Sequence, residues 1–466
     1  MRPRRRLPLV LLLALAACGG ATSADGGGAQ AGGRRPKVAI FGVDGATFSV
    51  IDPLVARGRL PALSGLLRRG TRVVLRSEIA EGASPVLWTS IATGVRKDEH
   101  GILGFTHNDD TGISVYSSRD RLVPALWNMV HARGGSVGLV GHWNTWPAEV
   151  VNGWIVSDLL ATSLLKRNFA PGAEESLTHP PGLVDELRPL VHQPSQLRRE
   201  DLARLGRFDD AEWAAMMADD AQRDFIVQDG LAALKYGLQT ESTCVDVALH
   251  MLRTRPQPDL LFVMLELPDR VSHNFWHAYE PDKVQGGARA VDPGWRARWK
   301  DVVPGAYEIV DEHIGAMLAE LDEDTTVFVV SDHGFRSNAR PGGTPTDLLH
   351  VGRSGTHDAD GVLVASGPAI RPGSTCEARI YDVAPTVLAA LGLPGSLQPI
   401  GRVMRPLLAP AFLESYPLQA EQLEAPLEQT APTPAEAPDD ERLRQMQAVG
   451  YVPGAASEVP DQDDGR

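Results

Sequence analysis

Cysteine is scarce in this chain, with 3 among 466 residues, at positions 18, 244 and 376. A disulfide framework is thereby excluded as the source of stability, and so is a four-cysteine zinc site. Cys244 and Cys376 are free to pair in an oxidising compartment, but sequence does not set their separation. Positive charge is also in deficit: 45 Lys and Arg stand against 59 Asp and Glu, a formal net charge of −14. A nucleic-acid polymer is not expected as a partner, because its backbone needs a basic face. No internal apolar run is long enough for a membrane-spanning helix. What the chain does have is length and 43% hydrophobic residues, enough for a large core as one elaborate domain or two.

The two ends read differently from the body. "MRPRRRLPLVLLLALAACGG" carries arginines at 2, 4, 5 and 6, then an apolar run from Leu7 to Ala17, then Cys18. That is the layout of a secretory signal over 1–17. The ending Leu15–Ala16–Ala17–Cys18 resembles the lipobox of bacterial lipoproteins, with Gly-rich tether 18–35 after it. The resemblance implies lipidation of Cys18, membrane attachment through that anchor, and a bacterial cell-envelope location, the outer membrane before the inner. At the other end, 412–466 is rich in Glu, Pro, Ala and Asp and reads as a solvated tail, with a short helix near 441–452.

The body, 36–411, alternates strand and helix patterns. "KVAIFGV" (37–43), "GSVGLVG" (135–141), "DLLFVMLEL" (259–267), "TTVFVV" (325–330) and "GVLVASG" (361–367) read as buried strands of a parallel sheet. Between them lie helical patterns such as "AYEIVDEHIGAMLAELDED", where Val310, Ile314, Met317 and Leu321 mark one face. The expected fold class is α/β: a doubly wound, mostly parallel sheet sandwiched by helices. The polar, helix-prone stretch 158–245 reads as an insertion. It either caps the functional edge of the sheet or forms peripheral helices.

The strand ends share a chemistry. The first ends in Asp44; "LELPDRVSH" supplies Asp269 and His273, four apart, so one helical turn puts both on one face; "SDHG" supplies Asp332 and His333; "GRSGTHDADG" supplies His357. Open α/β sheets place ligand sites beyond the carboxyl ends of their strands. Three carboxylates and three imidazoles at one edge suit two divalent metals of the zinc type better than magnesium or calcium. Each residue alone has a bland reading as a turn former or a structural histidine. In "EGASPVLWTSIATG", Ser84 before Pro85 reads as an N-cap at a helix start, and its hydroxyl would sit among unsatisfied N–H groups that favour a phosphoryl oxygen.

The order Asp44, Ser84–Pro85, Thr93–Gly94, His100–Gly101–Ile102, Asp269-x-x-x-His273, Asp332–His333–Gly334, His357 resembles the alkaline phosphatase superfamily. Within it, the chain is similar to the type I phosphodiesterase/nucleotide pyrophosphatase branch, over about 36–410. "GVDGATF", "SPVLWTSIATG", "WNTWPAE" and "SDHGF" carry the likeness. The resemblance implies a two-metal phosphohydrolase acting on small-molecule phosphoesters, of phosphodiester or nucleotide pyrophosphate type, with zinc or manganese as cofactor. Asp269, His273 and His357 would hold one metal; Asp44, Asp332 and His333 would hold the other, with Ser84 beside it as nucleophile and ligand. A phosphomonoesterase on the same site, and an envelope protein that binds without catalysis, are the alternatives. Two departures stand out. The nucleotide-cleaving members use Thr where this chain has Ser84, and they carry an Asn shortly after His-Gly-Ile, where Leu103, Gly104 and Phe105 stand here. A sulfatase signature is missing, since Pro85 follows Ser84 directly and no Arg occupies the matching step.

Overall fold

The computed structural model describes residues 35–79, 83–109, 112–161, 173–200, 202–217, 230–284, 291–338, 354–394 and 400–418. Cys18, the signal, the tether and the 441–452 helix lie outside the described residues. The strands are β1 (Lys37–Val43), β2 (Thr71–Arg76), β3 (Thr106–Asp109), β4 (Gly112–Val115), β5 (Val137–Val140), β6 (Gly153–Val156), β7 (Thr178–His179), β8 (Leu260–Leu265), β9 (Thr325–Val330), β10 (Gly334–Ser337), β11 (Gly355–Asp358), β12 (Asp360–Ser366) and β13 (Ala378–Arg379). Nine of them form one sheet in the order β13-β2-β12-β9-β1-β8-β5-β6-β7, and β3–β4 and β10–β11 are separate hairpins.

The centre of the sheet, β9-β1-β8-β5-β6, is parallel. Its strands are buried on both faces, which is why they read as unbroken apolar runs. Alternation then divides the core. Ala39, Phe41 and Val43 face one layer with Leu261, Val263 and Leu265; Val38 and Ile40 face the other with Leu260, Phe262 and Met264. Helices Pro61–Arg69, Gly230–Thr254, Leu267–Tyr279 and Val302–Leu318 cover the first face. Helices Ser84–Thr93, Leu126–Ala132 and Val383–Ala390 cover the second. Each such apolar side chain taken from water contributes about 1.5–3 kcal/mol. Lys37 enters this core at the start of β1 because its ammonium reaches Asp322 Oδ2 at 2.6 Å and the Gln257 carbonyl at 3.0 Å.

The fold class is the one expected, a mostly parallel doubly wound sheet. One strand direction and two boundaries differ. β12 is antiparallel to both β9 and β2, not parallel. The β10–β11 hairpin turns the chain back at the same end of the sheet, and a parallel return would need a crossover to the far end. Helix Gly230–Thr254 runs straight through 245, so the end expected for the insertion falls inside a continuous helix packed on β8. The tail begins later than 412: Pro410–Ser415 is helical and Phe412 is buried, stacked on Tyr416. Among the described residues, no helix is long and apolar enough to cross a membrane.

Candidate active site

β1 delivers Asp44 into a loop that is held from three sides. The Asp44 N–H donates to the Leu265 carbonyl (2.9 Å), the Ala46 N–H to Ser331 Oγ (2.9 Å) and the Thr47 N–H to the Tyr307 hydroxyl (3.0 Å). Gly45 sits at φ 68°, and a side chain there would come within 3.0 Å of Asp269 Cβ. Glycine at this position lets the loop close on the helix carrying Asp269. That helix, Leu267–Tyr279, is fixed in turn by Glu241, whose carboxylate accepts the Leu267 N–H at 2.8 Å. Glu241 belongs to the Gly230–Thr254 helix, so this helix braces the site.

Ser84 is the first residue of its helix, and Ala83 is the N-cap. The expected N-cap role is therefore corrected: no side-chain cap bond forms. The side chain points instead to Asp44, with Oγ 3.5 Å from Oδ1. The next two hydroxyls of the helix are engaged elsewhere. Thr89 donates to the Pro85 carbonyl (2.7 Å), and Ser90 lies 3.0 Å from His100 Nε2. His100 is fully buried, accepts the Ile102 N–H on Nδ1 and holds the turn after the helix.

The six predicted carboxylates and imidazoles converge. His333 Nε2 lies 3.4 Å from Asp44 Oδ1, 3.5 Å from Asp332 Oδ2 and 3.8 Å from Asp269 Oδ1. Asp269 Oδ1 is 3.4 Å from His273 Nε2 and 3.5 Å from His357 Nε2, and the two imidazole Nε2 atoms are 3.2 Å apart. Two groups have metal-ligand spacing: Asp269, His273 and His357, and Asp44, Asp269 and His333. Asp269 thus belongs to both groups.

The electrostatics of this cluster call for positive charge. His333 Nδ1 is 3.1 Å from the Gly334 carbonyl, which can only accept, so Nδ1 carries the proton. Burial, and then the neighbouring His357, push the His333 pKa down to about 3, so the ring is neutral at pH 7. Its Nε2 lone pair therefore faces three carboxylates, an unfavourable arrangement without a cation between them. Neither oxygen of Asp332, nor Asp269 Oδ1, nor His333 Nε2 has a hydrogen-bond partner among the described residues. Each such buried orphan costs about 1–3 kcal/mol, more when charged. Burial and the Asp269 charge push Asp332 well above the ordinary carboxylate range; burial, then Asp332 and Asp269, do the same to Asp44. Burial also acts to raise Asp269, but His273 and His357 outweigh it and hold that carboxyl low. Oxygen and imidazole donors left with free lone pairs fit divalent cations of the zinc type.

Two features escaped the sequence reading. In "WNTWPAE", Glu149 accepts from Arg121 Nη2 (2.7 Å), Asn128 Nδ2 (3.0 Å) and Trp127 Nε1 (2.7 Å), a buried polar knot that fixes the loop after β5. Asn144 in the same loop is buried at φ 56°, with Nδ2 3.4 Å from the Pro85 carbonyl beside Ser84. The partners lie 21 to 59 residues away, so nothing local in the sequence names them. Cys244 and Cys376 are both free and pack against opposite faces of the sheet.

Such a fold, with this donor set at the carboxyl ends of its strands, agrees with the alkaline phosphatase superfamily, and the family match makes the chain a phosphoric ester hydrolase. The chain belongs to the type I phosphodiesterase / nucleotide pyrophosphatase family, whose model matches residues 38–382. No match is found among curated proteins. Among solved structures, the chain is similar to murine ectonucleotide pyrophosphatase / phosphodiesterase 5 at 12% identity, covering 80% of this chain and 100% of that one, with a TM-score of 0.46. A 2-O GAG sulfatase matches at 11% identity over 80% of this chain and 74% of that one, TM-score 0.47. Phosphonoacetate hydrolase from Sinorhizobium meliloti 1021 matches at 15% identity over 65% of this chain, TM-score 0.37; the match spans 57% of that protein's length.

Proposed function

We propose that the protein is a two-metal phosphodiesterase of the nucleotide pyrophosphatase type, with Ser84 as nucleophile and with Cys18 lipidated to tether it to the bacterial cell envelope, at the outer membrane. The observation that carries the reading is the aim of Ser84 Oγ at Asp44, whose neighbours include His333 and the orphaned carboxylates. Asp269, His273 and His357 would hold one cation, and Asp44, Asp332, His333 and Ser84 the other, with zinc the metal and manganese its substitute. Cations there would neutralise the phosphoryl oxygens and lower the pKa of the Ser84 hydroxyl. The Ser84 hydroxyl gives up its proton and Oγ forms a bond to phosphorus as the bond to the leaving oxygen breaks in line, a proton passing to the leaving oxygen. Water then cleaves the phosphoseryl ester, returning the hydroxyl to Ser84. The Ser84–Thr93 helix contributes its amino-terminal N–H groups, which favour the anionic phosphate.

The test uses the full chain in mild detergent with zinc or manganese, on bis-p-nitrophenyl phosphate and p-nitrophenyl phosphate. Diester turnover that falls by several orders of magnitude in Ser84→Ala, with metal content unchanged, is expected. Near-normal turnover in that variant removes Ser84 from the role, and preference for the monoester moves the enzyme to the phosphatase side. Incorporation of labelled fatty acid, lost in Cys18→Ser, tests the anchor.

A further inference from the structure

Trp88 lies four residues after Ser84, so both side chains leave the same face of one helix. Both meet Asp44: Ser84 Oγ lies 3.5 Å from Oδ1, and Trp88 Nε1–H donates to Oδ2 at 3.0 Å. The indole is fully buried and has no room to turn. It meets the rings of Phe262 and His142 edge to face, at centroid separations of 6.3 and 6.2 Å. Beneath it lies Gly42, two residues before Asp44 on β1, where a Cβ would come within 2.9 Å of the Trp88 ring. The strand that carries Asp44 thus gives up a side chain to admit the tryptophan.

We infer that Trp88 is a positioning residue: its indole N–H claims Oδ2 of Asp44 and leaves Oδ1 alone to face the cation site and Ser84. The inference rests on the proposed role of Asp44 as a ligand. An indole N–H is a donor only. It can satisfy a carboxylate oxygen but cannot itself compete for a cation, and it fixes the carboxylate plane so that one oxygen is presented. Oδ1 is the oxygen near His333 Nε2, at 3.4 Å, so the two donors of that side stay in register. Without the indole, the carboxylate is free to rotate and share both oxygens, and the distance between the ligand and the Ser84 hydroxyl is no longer set. Partners that hydrogen-bond a metal ligand in this way typically matter by about 10–100-fold in metal affinity.

The experiment is a zinc titration of the full chain against a chromophoric chelator, which reads two dissociation constants. It is run on the wild type, on Trp88→Phe, and on a variant in which Trp88 is replaced by 3-benzothienylalanine. That residue keeps the size and shape of tryptophan and exchanges the N–H for sulfur, so it folds even if the phenylalanine variant leaves a cavity. The expected result is a rise of about 10–100-fold in one constant, the one also weakened by Asp332→Asn, with the other within twofold. His357→Gln marks the second constant. Two unchanged constants in the benzothienyl variant overturn the inference while leaving the two-metal reading in place. A wild type that takes up fewer than two zinc ions overturns both.

Discussion

Glu149→Gln removes one negative charge from a site almost without water, and its cost follows from the partners. The Arg121 and Glu149 side chains are 2% and 6% exposed. Oε1 of Glu149 accepts from Arg121 and Asn128, and Oε2 accepts from the Trp127 indole. A glutamine keeps only one acceptor. If its oxygen serves Arg121 and Asn128, its NH2 group faces the indole N–H, donor against donor. An orphaned buried donor costs about 1–3 kcal/mol, and an Arg left without its counter-charge brings the total to about 3–5 kcal/mol. That exceeds the roughly 0.5–3 kcal/mol of most substitutions. Arg121 keeps its bonds to the Val123 carbonyl and Asn128 Oδ1, so the fold weakens without losing the loop altogether. Urea unfolding followed by circular dichroism reads the effect as a shift in midpoint times the slope. Replacing Arg121 and Glu149 together by leucine should cost less than the two single changes added, because no charge is then left unpaired. If Glu149→Gln loses under about 1 kcal/mol, the charge is not buried as described and the reasoning fails.

The remaining predictions concern the sheet edge and the core beside it. Burial pushes the Asp158 pKa up to about 6, although it accepts the Asn144 and Trp146 N–H groups. Its folded-state pKa is above the unfolded value, so its contribution to stability is complete at low pH and is lost as pH rises through about 6. Asp158→Asn removes this component; the difference between the two unfolding curves should slope between pH 4 and 6 by at most about 1.4 kcal/mol per unit. Equal slopes would contradict the shift. Gly42→Ala places a methyl 2.5 Å from Met264 Sδ and 2.9 Å from Trp88. Methionine can yield and the tryptophan cannot, so a loss of about 1–3 kcal/mol is expected in thermal unfolding. A variant as stable as the wild type would show that the indole has room to move.

The parallel strands were legible because burial on both faces leaves an uninterrupted β-branched run, as in Val327 to Val330. β2 was not: "TRVVLR" alternates buried and exposed positions and resembles ordinary polar chain. The direction of β12 was hidden as well, since residue types do not record which end of the sheet a strand is entered from. Six metal-type residues were legible through their places at strand ends. Their grouping was less so, because Asp269 reaches His333 as well as His273 and His357. Ser84 was read both as an N-cap, because Ser before Pro is good helix-start chemistry, and as a nucleophile beside Asp44; the cap bond is missing and the hydroxyl turns to Asp44, an orientation that depends on β1 arriving beside the helix. Trp88 and Glu241 were invisible for the same reason. Their partners lie 44 and 26 residues away, and nothing local names them.

Asp44 and His357 are the outermost residues of the site, and 357 − 44 = 313 positions separate them. Between them the chain must lay β1, β8 and β9 side by side and fold the β10–β11 hairpin over their ends. Each donor group draws on more than one of these elements, so a cation held by either would bind the finished fold in preference to a fragment. Binding restricted to the native state adds RT ln(1 + [L]/Kd), about 4 kcal/mol at a thousandfold excess over Kd. The mutual repulsion of Asp44, Asp269 and Asp332 works against assembly, and a bound cation would offset it. On the proposed two-metal reading, metal supply and folding yield would be linked: a compartment poor in the cation would hold less folded protein, as well as less activity per molecule.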